Sequence, residues 1–150
     1  MAVIITEYTD INATMRGIRT QVIDSLDFCV NNMPTFRDPE QMFNTLRNMT
    51  TYKNDPVGIE LLQSVPTLIN NNYWGVSGAG DCDCFTILIL SMCVAHNWND
   101  QEIVLAGRSK VSPVHIWSRV KYKGRWYDMD LTQTFFNTCR NYKYKQFLKV

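Results

Sequence analysis

A strongly apolar segment in the middle of the chain predicts a helix that has to be buried. It covers residues 81–96, and its apolar side chains recur with helical spacing. The stripe consists of Phe85, Leu88, Ile89 and Met92. Asp81 can cap the start of this helix, and Asn97 suits the left-handed conformation that ends many helices. Such a helix needs packing partners, which the rest of the chain has to supply.

Beyond this helix the hydrophobic pattern changes to that of strands. Residues 103–106 form a continuous apolar run, which is typical of a central strand. Residues 114–122 alternate between two faces, and residues 125–130 and 142–150 predict two further strands. One face of the alternating strand carries Val114, Ile116, Val120 and Tyr122, and the other carries His115, Trp117, Arg119 and Lys121.

The first part of the chain is predicted to be helical. Residues 13–31 show apolar side chains at four-residue spacing, which indicates an amphipathic helix. Asp38 and Pro39 fit the cap and first position of a second helix that reaches about residue 48. Residues 59–65 are interpreted as a short helix. The predicted fold class is therefore α+β, with N-terminal helices and a central cysteine-bearing helix packed on a mainly antiparallel sheet.

Length and composition limit the kind of protein this is. With 150 residues we expect one domain over 1–150, made of an N-terminal helical part (1–50) and a core (51–132). Fifteen basic and fourteen acidic residues leave a charge of +1, which argues against a nucleic-acid partner. The longest apolar run is too short to cross a bilayer, and five cysteines without framework spacing indicate free thiols in a reducing compartment. We expect a soluble cytoplasmic protein without a membrane partner.

Cys82 is the candidate nucleophile because of its position at the start of the buried helix. A thiol reacts as the thiolate, and a helix N-terminus and a nearby imidazole both favour that form. Glycines before it, Gly80 among them, let a substrate backbone approach closely. Asp81 and Asp83 act in the opposite direction because negative charge disfavours the thiolate. We expect a moderate lowering of the thiol pKa as the net result.

A hairpin register predicts the partners of that thiol. If Lys123 and Gly124 form a two-residue loop, His115 and Asp130 lie on one face as diagonal neighbours. Asp130 can then fix the imidazole tautomer and leave the other nitrogen for the thiol. The same register puts Asp128 opposite Arg119, where we expect it to form a salt bridge instead.

Taken together, these segments resemble the transglutaminase-like superfamily, which has the papain-like cysteine protease fold. That family has a cysteine opening a helix, a histidine before an aromatic residue on a strand, and an aspartate shortly before a threonine on the next strand. The matching motifs are Gly80-Asp81-Cys82-Asp83, His115-Ile116-Trp117 and Trp126-Tyr127-Asp128-Met129-Asp130-Leu131-Thr132. Upstream, Tyr52, Pro66 and Asp55-Pro56-Val57-Gly58-Ile59-Glu60 resemble a subgroup often encoded by bacteriophages. Cys84 and Leu131 depart from the usual acidic residue and proline.

The resemblance implies a thiol acyl-transfer enzyme. Cys82 would attack a carbonyl, His115 would transfer the proton and Asp130 would orient His115. The implied function is a cysteine protease or amidase with a peptide or protein substrate and no cofactor. Two alternatives stay open: a non-enzymatic virion or assembly component that keeps the fold, and a protein-crosslinking transglutaminase. A phage origin would imply the host cytoplasm or the virion as location, with other virion proteins as partners.

Further residues have both a functional and an ordinary interpretation. Trp74 is a candidate for the substrate groove or the oxyanion, or else an anchor of its loop, and Trp117 either packs or shields the site from water. We expect Cys84 to be structural. Cysteines and His96 on the central helix include zinc ligand types, but their positions at opposite ends of one helix do not close a tetrahedron. We therefore predict no metal site.

Overall fold

The computed structural model describes residues 2–111 and 113–150 and shows a mixed α and β structure. Helices dominate the first half and a sheet the second, which confirms the α+β prediction at this level. The elements in chain order are β1 (Val3–Glu7), α1 (Ile11–Asn32), α2 (Pro39–Asn48), β2 (Thr51–Tyr52), β3 (Ile59–Gln63), α3 (Val65–Asn70), β4 (Ala79–Gly80), α4 (Cys82–Ala95), β5 (Gln101–Gly107), β6 (Pro113–Tyr122), β7 (Arg125–Met129) and β8 (Tyr144–Lys149).

Two of the predicted helices, α2 and α4, begin and end where their capping residues indicated. Asp38 accepts a hydrogen bond from the Gln41 N–H at 2.8 Å, and α2 starts at the next residue, a proline. Asp81 caps α4, which ends before Asn97 in the left-handed region at φ 60°. The apolar helix α4 is buried along most of its length and packs against α1 on one side and β6 on another. Within the described part of the chain, no helix combines the length and apolar character needed to cross a membrane.

The larger sheet has four antiparallel strands in the order β7-β6-β5-β8. The continuous apolar run lies in β5, which has a neighbour on each side, as a central strand requires. Ile116 and Val120 of β6 are buried in the core that α4 shares. The sheet therefore holds the cysteine-bearing helix against the strand that carries His115.

The prediction of a short helix at residues 59–65 is wrong. Most of this segment is β3, which pairs antiparallel with β1, and only then does α3 begin. Leu61 and Leu62 are both fully buried, so the strand has no polar face and shows no alternation. Its partner β1 was not predicted from the sequence. A non-local pairing of this kind overrides local propensity.

Candidate active site

Cys82 is the first residue of α4, and the backbone before it is held tightly in place. β4 pairs in parallel with β2, which links Gly80 to Tyr52. A Cβ added at Gly80 would lie 2.8 Å from the Cβ of Cys84, so only glycine allows the chain to pass so close to the helix. Gly80 thus has a packing role, whereas its predicted part in substrate binding stays a prediction. The Asp81 carboxylate accepts from the Asp83 N–H at 3.2 Å and completes the cap.

The hairpin between β6 and β7 has the predicted register. Lys123 and Gly124 have positive φ values of 50° and 81°, as a two-residue hairpin turn of this kind requires. Tyr122 pairs with Arg125, and Arg119 lies opposite Asp128. This register brings His115 and Asp130 to the same face at the end of the two strands.

His115 and Asp130 form a short hydrogen bond, 2.7 Å between Nε2 and Oδ2. The Asp130 side chain is 2% exposed and that of His115 is 13% exposed. The other carboxylate oxygen of Asp130 accepts from the Thr132 N–H at 3.0 Å and from the Thr132 hydroxyl at 2.7 Å. Both oxygens of Asp130 therefore have partners, and the carboxylate cannot easily rotate. Because Nε2 of His115 is engaged, Nδ1 is the nitrogen left for another partner.

The predicted salt bridge between Arg119 and Asp128 is wrong. Arg119 also lies opposite Glu102 across the β5–β6 pair and binds that carboxylate, with Nε 2.8 Å from Oε1. Asp128 instead accepts a hydrogen bond from the Trp117 indole N–H at 2.9 Å. Arg119 lies opposite a carboxylate on each neighbouring strand, Glu102 on β5 and Asp128 on β7. It pairs with Glu102, and Asp128 is hydrogen-bonded to the buried Trp117 indole.

Aromatic rings surround the imidazole. Trp117 is 2% exposed, and its ring lies 5.4 Å from that of His115, so it packs beneath the site instead of lining its surface. Tyr142, from the segment before β8, contacts both rings at 6.1 and 5.9 Å. Trp74 lies outside this group: its ring contacts Tyr73 and the Lys53 ammonium, and it does not line the cavity described next. The sequence contained no local signal for Tyr142, which joins the site through the pairing of β8 with β5.

Cys82 and His115 both line a cavity of about 720 Å³. Tyr52 also lines it, as do apolar side chains from α1 and β3. Four acidic residues complete its wall: Asp55, Glu60, Asp81 and Asp83. We call these four residues the carboxylate quartet. In the sequence, Asp55 and Glu60 stand out only as part of a family resemblance, which implies no role for either.

The carboxylate quartet is unusually compact, because one oxygen from each side chain lies within 4.8 Å of the others. Asp55 lies against Asp81, and Asp83 lies against Glu60. Burial and the neighbouring charges raise the pKa of Asp55 to about 9 and that of Asp83 well above its usual range. Burial also raises the pKa of Asp81 to about 6, although its hydrogen bonds oppose the rise. Protonation of these carboxyls is thus favoured, and their oxygens are also the ligand type that Ca²⁺ and Mg²⁺ prefer.

The thiol of Cys82 responds to this environment. Burial, followed by the charges of Asp83 and Asp81, raises the pKa of the Cys82 thiol well above its ordinary value. The backbone N–H of Ile116, hydrogen-bonded to the sulfur, opposes the rise. The expected moderate lowering of this pKa is therefore wrong. Position at a helix start does not outweigh burial beside two acidic residues.

The other candidate side chains have structural contacts. Cys84 is fully buried and donates from its sulfur to the Leu61 carbonyl at 3.1 Å, which fits the structural role predicted for it. Cys29 and Cys93 are buried in the core, and Cys139 lies 3.7 Å from the Lys145 ammonium. His96 bonds to the backbone through both ring nitrogens.

Comparisons with known proteins give little further information. No family model matches the chain, and no curated protein does so either. A solved structure described as the crystal structure of a TGase overlaps with it at a TM-score of 0.37 and 15% sequence identity. The overlap covers 91% of this chain and 36% of that one, so the chain spans about a third of that protein's length. A TM-score of this size is too low to assign a shared fold.

Proposed function

We propose that this protein is a thiol acyl-transfer enzyme that hydrolyses an amide bond, a cysteine protease or amidase built on a transglutaminase-like, papain-related plan. The observation that carries the proposal is the hydrogen bond of the buried Asp130 to His115, which lines the same cavity as Cys82. A buried carboxylate that holds one imidazole nitrogen beside a thiol is the arrangement that nucleophilic catalysis uses. The order of the motifs along the chain supports the same conclusion.

In the proposed reaction the Cys82 sulfur attacks the amide carbonyl carbon while its proton passes to Nδ1 of His115. The raised thiol pKa means that attack starts from the neutral thiol, so His115 acts as a general base during attack. Asp130 accepts from Nε2–H and stabilises the imidazolium that forms. The backbone N–H of Cys82, in the first turn of α4, is available to the oxyanion.

The tetrahedral intermediate then expels the amine, which takes the proton back from His115 and leaves a thioester on Cys82. Water, deprotonated by the same imidazole, hydrolyses the thioester and restores the thiol. An amine in place of water would give crosslinking by the same residues, and the fold does not choose between the two acceptors. A non-enzymatic assembly component would use neither step.

Labelling by a peptide electrophile tests the proposal. An N-acetylated tripeptide vinyl sulfone should modify Cys82 faster than the other four cysteines, as mapped by mass spectrometry, and His115→Ala should slow that reaction by at least about tenfold. Cys82→Ser is the control for the mapped site. Equal labelling of Cys82 and Cys139, unchanged in His115→Ala, would leave only a non-enzymatic role. Dye-labelled casein assayed with and without a fluorescent primary amine separates hydrolysis from amine transfer.

A further inference from the structure

The cavity around Cys82 is strongly acidic. Its wall includes the carboxylate quartet, and among the described residues that line it the only basic side chain is His115. The lysine nearest in sequence, Lys53, points its ammonium at the Trp74 ring instead. A substrate side chain in this cavity therefore lies beside carboxyl groups, whereas Lys110 and Lys145 line a neighbouring cavity.

The carboxylate quartet is costly to hold together without a positive charge. Asp81 and Asp83 are 7% and 4% exposed, and buried carboxylates so close to each other cannot all be ionised. Burial and the neighbouring charges raise the pKa of Asp55 and of Asp83, so these carboxyls hold protons more readily than free ones. A bound cation would replace those protons as the partner of the oxygens. Asp55 and Glu60 are only partly buried, so the quartet is accessible from the cavity.

The shape of the cavity favours a long cationic side chain over a single ion. Its volume of about 720 Å³ extends from the quartet to Cys82 and His115 and is far larger than one hydrated ion needs. Apolar side chains form the wall beside the acidic groups, including Ile11, Met15 and Ile59. Lysine and arginine have this combination, an apolar stem and a charged end.

We propose that the substrate is a peptide with a Lys or Arg side chain next to the amide that is attacked, and that the carboxylate quartet binds its positive charge. This inference rests on the proposed thiol chemistry at Cys82. It adds a second consequence, because a positive charge at the quartet offsets the negative charge that, after burial, raises the pKa of the Cys82 thiol. Binding of a basic substrate would then lower the pKa of the Cys82 thiol that attacks it, whereas binding of a neutral substrate would not.

Two matched sets of electrophiles test the charge preference. The first contains 2-bromoethylammonium, iodoacetamide and iodoacetate, each rate being divided by the rate of the same reagent with a free thiol. The second contains two tripeptide vinyl sulfones that differ only by lysine or norleucine next to the reactive group. Both are measured by mapped modification of Cys82 in the full chain, Glu60→Gln and Asp27→Asn. Asp27 is an exposed control on α1, about 18 Å along the helix from Met15.

We expect normalised rates in the order cation, neutral, anion, with about tenfold between the first two at low salt and less at high salt. Glu60→Gln should reduce that ratio severalfold, and Asp27→Asn should leave it unchanged. The lysyl peptide should react faster than the norleucyl peptide.

If both peptides modify Cys82 at one rate, the charge preference is overturned while the proposed function stands. If neither peptide prefers Cys82 but the small cation still does, the proposed function fails instead. Stoichiometric binding of Ca²⁺ or Mg²⁺, measured by calorimetry and lost in Glu60→Gln, would assign the quartet to a metal and overturn the inference.

Discussion

The two histidines of this chain occupy similar surroundings and differ in their hydrogen bonds. Each is partly buried and contacts two aromatic rings: Trp117 and Tyr142 for His115, Phe36 and Trp98 for His96. His96 uses both nitrogens on the backbone, with Nε2 accepting from the Phe36 N–H and Nδ1 donating to the Met92 carbonyl, both at 2.8 Å. His115 uses one nitrogen on a buried carboxylate.

The comparison shows that the partners of an imidazole, not its burial, decide what it can do. The tautomer of His96 is set by two backbone groups, and neither of its nitrogens is left to exchange a proton with a third group. The tautomer of His115 is set by Asp130, a carboxylate that also stabilises the protonated ring. Substitutions at the two rings and their partners test whether this difference separates a reactive site from a structural contact.

The largest effect is expected from Asp130→Asn. Thr132 holds one oxygen of Asp130 by two hydrogen bonds, so an asparagine would keep its oxygen there and turn its NH₂ group towards His115. Nε2 would then have to accept, the proton would move to Nδ1, and the base would be lost. We expect the rate of Cys82 modification by the peptide electrophile, and of amide hydrolysis, to fall about 10²–10⁴-fold.

Asp128→Asn is the matched control for that variant. Its amide oxygen can still accept from the Trp117 indole, so the site should keep its activity within about threefold. Equal losses in the two variants would mean that Asp130 has no special role. Far-ultraviolet circular dichroism and the melting temperature of both proteins would exclude unfolding as the cause.

A smaller effect is expected on the rate of Cys82 alkylation as a function of pH. Since burial and then Asp83 and Asp81 raise the thiol pKa, the thiolate forms only above the range of a free cysteine. Iodoacetamide should therefore modify Cys82 more slowly than a free thiol at every pH below 9, with a rate that still increases at pH 9. Asp81→Asn removes a carboxylate whose pKa of about 6 leaves it ionised in this range, keeps a side-chain oxygen for the helix cap, and should shift the profile to lower pH.

Asp27→Asn should leave that profile in place. A wild-type profile that levels off near pH 7 would show a resting thiolate, and the general-base description of attack would be wrong. The measurement needs peptide mapping, because Cys139 also reacts at the surface and lies beside Lys145. Its rate serves as an internal reference in the same sample.

What the sequence could predict depends on how far apart the partners are along the chain. The positive-φ turn at Lys123 and Gly124 sets the register of adjacent strands, so the pairing of His115 with Asp130 followed from local residues. The caps at Asp38 and Asp81 are local in the same sense.

The carboxylate quartet could not be predicted in this way. Asp55 and Glu60 reach Asp81 and Asp83 through the pairing of β1 with β3 and of β2 with β4, both of which join distant segments. The strand β3 has no polar face, and β2 is only two residues long, so neither shows the alternating pattern of a strand in the sequence. For the same reason the sign of the pKa shift at Cys82 was missed, since it depends on how deeply the thiol and its acidic neighbours are buried.

The smallest effect is expected from the other histidine, and it falls on stability alone. His96→Leu leaves the Phe36 N–H without its acceptor in a partly buried position, which should cost about 1–3 kcal/mol of unfolding free energy. For a chain of this size that corresponds to roughly 2–4 °C in Tm for each kcal/mol. His96→Gln keeps an oxygen near the position of Nε2 and should recover most of the loss. The normalised rate of Cys82 modification should be the same in both variants as in the wild type, because His96 holds the end of α4 opposite to Cys82. A His96 variant that stays folded but loses Cys82 reactivity would break the comparison and require a role for this ring in the site.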